Sequence, residues 1–255
     1  MMARKVTLVA LLAAIYAVVS LLPGFPVVGV PGSDIRLTRS LEMGYGVALG
    51  PFLGPLSAFV GAVVGRVATG GGAAILFTPL ALVSSFMAAA MARQRIFGLR
   101  GWAVSMLLMA GIILLWYATP AGQSIPLYAA PHLIGLGIIL VLRGRITDLL
   151  HSEKRRSLFA GLILSSYPST MAGQMLGNLI FLVLFSPAPA FFMTVLPITI
   201  FERAVITVVA AIVGVPLVLA VRAYFGEGQE KADQKNPRQP AGVFKSAAIQ
   251  GEVLI

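Results

Sequence analysis

Two amides and an adjacent pair of opposite charges interrupt the apolar C-terminal half of this sequence. Gln174 and Asn178 stand four residues apart, so a helix carries them on one face. Tyr167 lies in the same apolar stretch, and Glu202 with Arg203 lies in the next. Counted at the helical rise from Phe185, Asn178 sits about 10 Å deep and Gln174 about 16 Å. Glu202 and Arg203 reach about 16 Å below Phe191, and Ser84 and Ser85 reach a comparable level in an earlier stretch. Amides and hydroxyls at one depth hydrogen-bond the polar groups of a solute, and a carboxylate or guanidinium beside them orients a charged group. Ionisable groups inside a bilayer are costly, which makes them functional candidates. The alternative is a structural ion pair, with Glu202 or Arg203 bridging Arg66, Glu42 or each other. Neighbouring residues point about 100° apart on a helix, so only one of the two faces a cavity squarely. A further group, Asp34, Arg36, Arg39 and Glu42, belongs to the Pro- and Gly-rich segment 23–40 and its edge. A loop of this size over a bundle mouth suits a lid, and a solvated connector is the plainer reading.

Bond-making chemistry finds little support. The chain has no cysteine, which removes thiolate metal sites and cysteine nucleophiles. Its two histidines are His132, just after Pro131, and His151, in a basic segment. No His-Glu-x-x-His, no Gly-x-Ser-x-Gly and no acids paired at helical spacing occur. A Ser–His dyad on His132 lacks any marked serine. The phosphate-binding pattern Gly-x-x-x-x-Gly-Lys-[Ser/Thr] is missing too, since Gly70-Gly71-Gly72 runs on into Ala73 and Ala74, so ATP is not held through such a loop. The chain therefore does not read as an enzyme, and no cofactor or metal site is expected.

The elements that must position these residues are membrane helices. The chain is 58% hydrophobic and 11% charged, with mean hydropathy +0.92. A soluble domain of 255 residues cannot hide that much apolar surface, whereas a bilayer can. The fold class expected is an all-α polytopic membrane protein. Eight apolar segments stand out: 6–22, 41–52, 54–69, 73–92, 102–118, 129–142, 157–185 and 191–223. The second and third are short and meet at Gly50-Pro51-Phe52-Leu53-Gly54-Pro55, a breaker cluster, and are otherwise one kinked span. The start, Met1–Lys5 then Val6–Leu22, mimics a signal peptide but lacks a small-x-small exit before Pro23, so it reads as a retained helix.

Loop charge orients the chain. With Arg4 and Lys5 in the cytoplasm, eight crossings place Arg93, Arg95 and Arg100, then Arg143–Arg156, then the tail on the same side. Arg36, Arg39 and Arg66 are the exceptions outside. This gives N-in, C-in and a multi-pass protein of the cell membrane. A single span over 41–69 would flip every later loop. The formal net charge of +10 lies in the membrane portion, because the tail after Tyr224 carries equal numbers of each sign. No basic stripe interleaved with aromatics occurs, so nucleic acid is not an expected partner. Residues 1–223 form the membrane domain, and the polar tail 224–255 is expected to be disordered.

Small residues at helical spacing let backbones approach closely in lipid. Ala10/Ala14 and Ala13/Ala17 mark one face of the first segment, and Ser57, Gly61 and Gly65 mark the third. Packing inside the chain is the better account of the second set. The alanine face is open to internal packing or to docking of another subunit.

One run collects many of these features: Leu41-Glu42-Met43-Gly44-Tyr45-Gly46-Val47-Ala48-Leu49-Gly50-Pro51-Phe52-Leu53-Gly54-Pro55, followed by Gly61-Ala62-Val63-Val64-Gly65. With the Ala-rich first helix before it, this resembles the substrate-binding membrane subunits (S components) of energy-coupling factor transporters. Phe201-Glu202-Arg203, Thr207 and Gly214-Val215-Pro216-Leu217 look like the last helix of such proteins. The resemblance covers 6–92 and 157–223. It implies a six-helix core, here with an extra hairpin at 102–142. It implies high-affinity capture of a small vitamin-like micronutrient at the outer face, with no chemistry in this chain. The binding walls would be Arg36 and Arg39, Ser84 and Ser85, Tyr167, Gln174 and Asn178, and Glu202 and Arg203. A transmembrane coupling subunit would dock on Ala10/Ala14 or Ala13/Ala17, and ABC-type ATPase subunits would hydrolyse ATP. The metal-specific branch carries N-terminal histidines, which Met1-Met2-Ala3-Arg4 lacks, so nickel and cobalt are not expected. A stand-alone secondary transporter or channel is the alternative. It needs a polar path through both halves of the membrane, and the inner half offers few charges. An intramembrane enzyme around His132 comes third.

Overall fold

The structure is a computed structural model that describes residues 2–22, 25–26, 34–35 and 37–235, with side chains over 3–22 and 37–225. It is almost entirely helical. In chain order the elements are α1 (Met2–Val19), a short antiparallel pair of β1 (Phe25–Pro26) and β2 (Asp34–Ile35), α2 (Arg39–Ala68), a 3-10 turn (Gly72–Phe77) and α3 (Pro79–Met91). A tight hairpin of β3 (Arg95–Ile96) and β4 (Leu99–Arg100) leads into α4 (Gly101–Tyr117), α5 (Pro120–Ser124) and a second 3-10 turn (Pro126–Ala129). The chain ends with α6 (Ala130–Leu142), α7 (Gly144–His151), α8 (Arg155–Phe185) and α9 (Pro189–Lys235). Among the described residues, four helical stretches are long and apolar enough to cross a membrane: 39–68, 72–91, 155–185 and 189–225. The protein is an all-α membrane protein, with shorter apolar helices at 101–117 and 126–142.

The helices follow the apolar segments closely, and the breaker at 50–55 shows how. Gly50 has φ 86° and ψ −174°, a conformation open to glycine, and Pro51 next to it starts a new helical turn. The chain doubles back there. A Cβ added at Gly54 would lie 2.5 Å from the Tyr45 carbonyl oxygen and 2.7 Å from the Gly46 Cα. Residues eight apart in a straight helix are about 12 Å apart, so 39–49 and 51–68 are two legs of a helical hairpin.

Helix α1 lies in register against both legs. Ser57 Oγ donates to the Val9 carbonyl at 3.0 Å, Gly61 abuts Ala13 and Tyr16, and Gly65 abuts Ala17 and Ser20. Tyr45 donates to the Leu12 carbonyl at 2.7 Å, and Tyr16 donates to Glu42 at 3.0 Å. Numbers rise together along the second leg and run oppositely along the first, so the legs are antiparallel. The small-residue set Ser57/Gly61/Gly65 is thus spent on packing inside the chain. Ala13 is buried and Ala17 half-buried in the same seam, while Ala10 and Ala14 are exposed.

The other half packs through large side chains. Trp116, Tyr128 and Phe192 form a buried triangle with ring centroids 5.0–5.5 Å apart. Met109 reaches under Gly135, whose missing side chain lets α6 approach Pro168 of α8. Helix α7 is amphipathic and lies across one end of the bundle. It buries Ile146 and Leu150, and Thr147 donates to the Met91 carbonyl at 2.7 Å. That end gathers Arg93–Arg100, Arg143, Arg145 and Lys154–Arg156, and is called the basic end below. Helix α9 extends to Lys235, and residues 236–255 lie outside the described residues.

Candidate ligand-binding site

Away from the basic end, α1, α2, the first 3-10 turn and α3 enclose a cleft. It is lined by Tyr16, Thr38, Arg39, Glu42, Arg66 and Thr78, with Ser20, Ala62, Phe77 and Ala81 between them. Its empty space is about 350 Å³, counting the part open to solvent. Glu42 lies on its floor and is only 1% exposed. Its carboxylate accepts from Tyr16 and lies 4.0 Å from the Arg39 guanidinium. The Ser84 hydroxyl faces the same carboxylate, and Arg203 lies within its electrostatic reach. A buried carboxylate persists only when its oxygens are partnered, and this one is held from several sides.

A second polar cluster lies between α6, α8 and α9, and Arg203 joins it to the first. Arg203 donates to Glu202, the next residue, and to Thr170 at 2.9 Å. One turn nearer the cleft end, Gln174 donates to Thr199 at 3.2 Å, and Asn178 donates to Tyr128 at 2.9 Å. His132 lies one turn below Tyr128 on α6, within electrostatic reach of Arg203. Several polar atoms of this cluster lack a partner among the described residues: Trp116 Nε1, Gln174 Oε1 and Arg203 Nε. The two clusters differ in access as well, since the cleft residues adjoin open space and the second set is closed in by aromatic rings.

At the basic end the Arg93 guanidinium packs against the Gly50 bend, where an added Cβ would lie 2.7 Å from its Nη2. Burial pulls its pKa below the ordinary arginine value. It caps the turn of the α2 hairpin rather than joining either polar cluster.

The residues singled out from sequence thus separate into groups. Arg39 lines the cleft, and Ser84 backs it through Glu42. Gln174, Asn178, Glu202 and Arg203 sit together in the second cluster. Of the alternatives open for Glu202 and Arg203, the structure pairs them with each other. Ser85 is fully buried beside Gly46, and its hydroxyl has no partner among the described residues. Tyr167 turns to α6 and donates to the Pro131 carbonyl at 3.1 Å, away from the cleft. Arg36 lies outside the described residues. Sequence reasoning passed over Tyr16 and Thr78, and placed Glu42 at the margin of a loop. An acid inside an apolar segment was the available signal for Glu42. Nothing in the sequence marks Tyr16, whose partner is 26 residues away.

Comparisons with known proteins add one distant relative. The chain is 27% identical over 110 residues to an uncharacterized protein of Methanocaldococcus jannaschii. That match takes in 43% of this chain and 37% of the archaeal protein, so the chain spans little more than a third of the relative's length. No known family's sequence profile matches the chain, and no solved structure matches it.

Proposed function

We propose that this protein captures a small polar solute in the cleft, as the substrate-binding membrane subunit of an ATP-driven importer of the energy-coupling factor type. The observation that carries the reading is the floor of the cleft, where Glu42 is fixed by Tyr16 and faced by Arg39. A capture site needs polar groups held in place before the solute arrives, next to space the solute can enter. Arg39 offers it a positive charge and Glu42 a carboxyl group. Glu202, Arg203, Gln174 and Asn178 form a deeper polar cluster, linked to the floor by the reach of Arg203 toward Glu42. On this reading the two legs of α2 count as separate crossings, the bundle has eight, and the basic end faces the cytoplasm. The cleft then opens outward from the cell membrane, and α4 with α6 lies beside a six-helix core. The exposed strip of Ala10 and Ala14 is smooth enough for a transmembrane coupling subunit to pack on. ATP hydrolysis belongs to separate ABC-type subunits, consistent with the missing phosphate-binding loop.

The test is purification from native membranes in mild detergent, with mass spectrometry of whatever accompanies the chain. Recovery of an ATPase pair and a helical coupling subunit supports the importer. Repeated isolation of the chain alone rejects it. The buried Glu42 suits a proton carrier too, so gradient-driven uptake by the lone protein in proteoliposomes would favour the secondary transporter.

A further inference from the structure

The β3–β4 hairpin at the basic end carries a combination that its packing does not explain. Its register sets Arg95 directly opposite Arg100. Side chains so paired stand on one face with Cβ atoms about 5 Å apart, and like charges there repel. Among the described residues neither guanidinium forms an ion pair or side-chain hydrogen bond. A third guanidinium, Arg143, is held 5.5 Å above the ring of Trp102, two residues beyond Arg100. The turn between the arginines is Phe97-Gly98, and both residues have positive φ, 52° and 78°. Glycine accepts that backbone freely, whereas a bulky residue such as Phe is strained in it. The strained residue is 72% exposed and meets Phe52, itself exposed, edge to face at 6.0 Å. Leu99 is exposed beside them. The hairpin is not loose, because Gly101 at its base packs onto the Ala90 and Arg93 carbonyls and its N–H bonds Gln94 at 3.1 Å. A rigid mount therefore holds out an apolar tip and, behind it, the facing pair Arg95 and Arg100, with Arg143 seated on the Trp102 ring of the adjoining helix.

We propose that this hairpin is a binding site for the headgroup of an anionic phospholipid. Phe97, Leu99 and Phe52 enter the acyl region, and Arg95 and Arg100 flank the phosphate. An anion between Arg95 and Arg100 turns their repulsion into two charge-assisted contacts. Acyl chains cover the aromatic tip, and aromatic rings favour the membrane interface. A free phosphate would satisfy the cations and leave the tip uncovered, so the lipid is the better fit. The inference needs only the membrane reading and does not rest on the importer.

The experiment is native mass spectrometry of the full chain in detergent, titrated with dioleoyl phosphatidylglycerol or with dioleoyl phosphatidylcholine of identical tails. The wild type should retain the glycerol lipid preferentially. Arg95→Gln with Arg100→Gln should reduce that preference about tenfold, given the weight of each cation near an anionic headgroup. Phe97→Ser should weaken retention of both lipids. Arg155→Gln with Arg156→Gln, at the same end but off the hairpin, should leave the preference intact, and all variants should elute as the wild type does on size exclusion. Equal retention of the two lipids by the wild type, or equal loss in the Arg155/Arg156 variant, would overturn the proposal. So would displacement of the lipid by millimolar inorganic phosphate, which would mark a free-anion site. An unchanged lipid preference in the Arg95/Arg100 variant, with loss of a co-purifying protein, would assign the hairpin to a protein partner instead.

Discussion

The half of the bundle built from α1, α2 and α3 and the half built from α4, α6, α8 and α9 hold together by different means. In the first, glycines bring backbone against backbone: Gly54 on Gly46, Gly46 on Ser85, Gly61 on Ala13, Gly65 on Ala17. In the second, rings and methionines fill the space, with Trp116, Tyr128, Phe192 and Met109 at the centre. The polar groups differ accordingly. Glu42 in the glycine-packed half has a fixed partner on α1, whereas Trp116 and Gln174 in the aromatic half leave polar atoms unmatched. Close backbone contact leaves no slack, so a charge placed there is held in one geometry. Side-chain packing can shift around an unmatched group. Rigid presentation beside open space belongs to the first half, and it is the half that contains the cleft.

The comparison breaks most sharply at Gly54. Gly54→Leu pushes a side chain into the Tyr45 and Gly46 backbone, which cannot yield, and should abolish the folded peak in fluorescence-detected size exclusion. Gly137→Ala, with nothing near the added methyl, should stay within about 0.5 kcal/mol of wild type. In the aromatic half, Trp116→Ala should cost about 3–5 kcal/mol, seen as a lower thermal midpoint. Trp116→Phe should cost far less, because its indole N–H has no partner among the described residues to lose. Glu42→Ala should cost about 3 kcal/mol by leaving Tyr16 without its acceptor and Arg39 without its counter-charge, and Tyr16→Phe about 1 kcal/mol. At the helix α1 seam, Ala13→Leu should destabilise by about 1–3 kcal/mol, and Ala14→Leu by less than about 0.5 kcal/mol. On the importer reading proposed above, the Ala14 variant should fold normally and lose a co-purifying coupling subunit. Retention of that subunit would remove the docking strip.

The helices were legible because each apolar run ends within three residues of a glycine, proline or arginine, and lipid solvation leaves little choice but helix for such runs. The reversal at Gly50 was half-legible: Gly-Pro spelled a break, but a kink and a full turn look alike until Gly54 meets Gly46. The alanines of α1 showed the limit more plainly. Ala10, Ala13, Ala14 and Ala17 are one chemical signal, and only the position of Gly61 and Gly65 decides which pair is covered. Glu42 was visible as an acid in an apolar stretch, yet its importance comes from Tyr16 and Arg203, residues far away in the chain. Trp116 carried no periodic or motif signal at all, since its unmatched indole N–H is a property of the packed interior.

The Gly50 reversal also constrains how the chain enters the membrane during synthesis. The leg 39–49 is about 16 Å long, little more than half the thickness of a bilayer's hydrocarbon layer. As it leaves the ribosome alone it has no stable transbilayer state, and it carries Glu42. It gains one only when 51–68 has emerged and the two legs can close on Gly46 and Gly54. On the eight-crossing reading, translation must therefore run past Ala68 before the short leg is committed, and the pair is inserted as one unit.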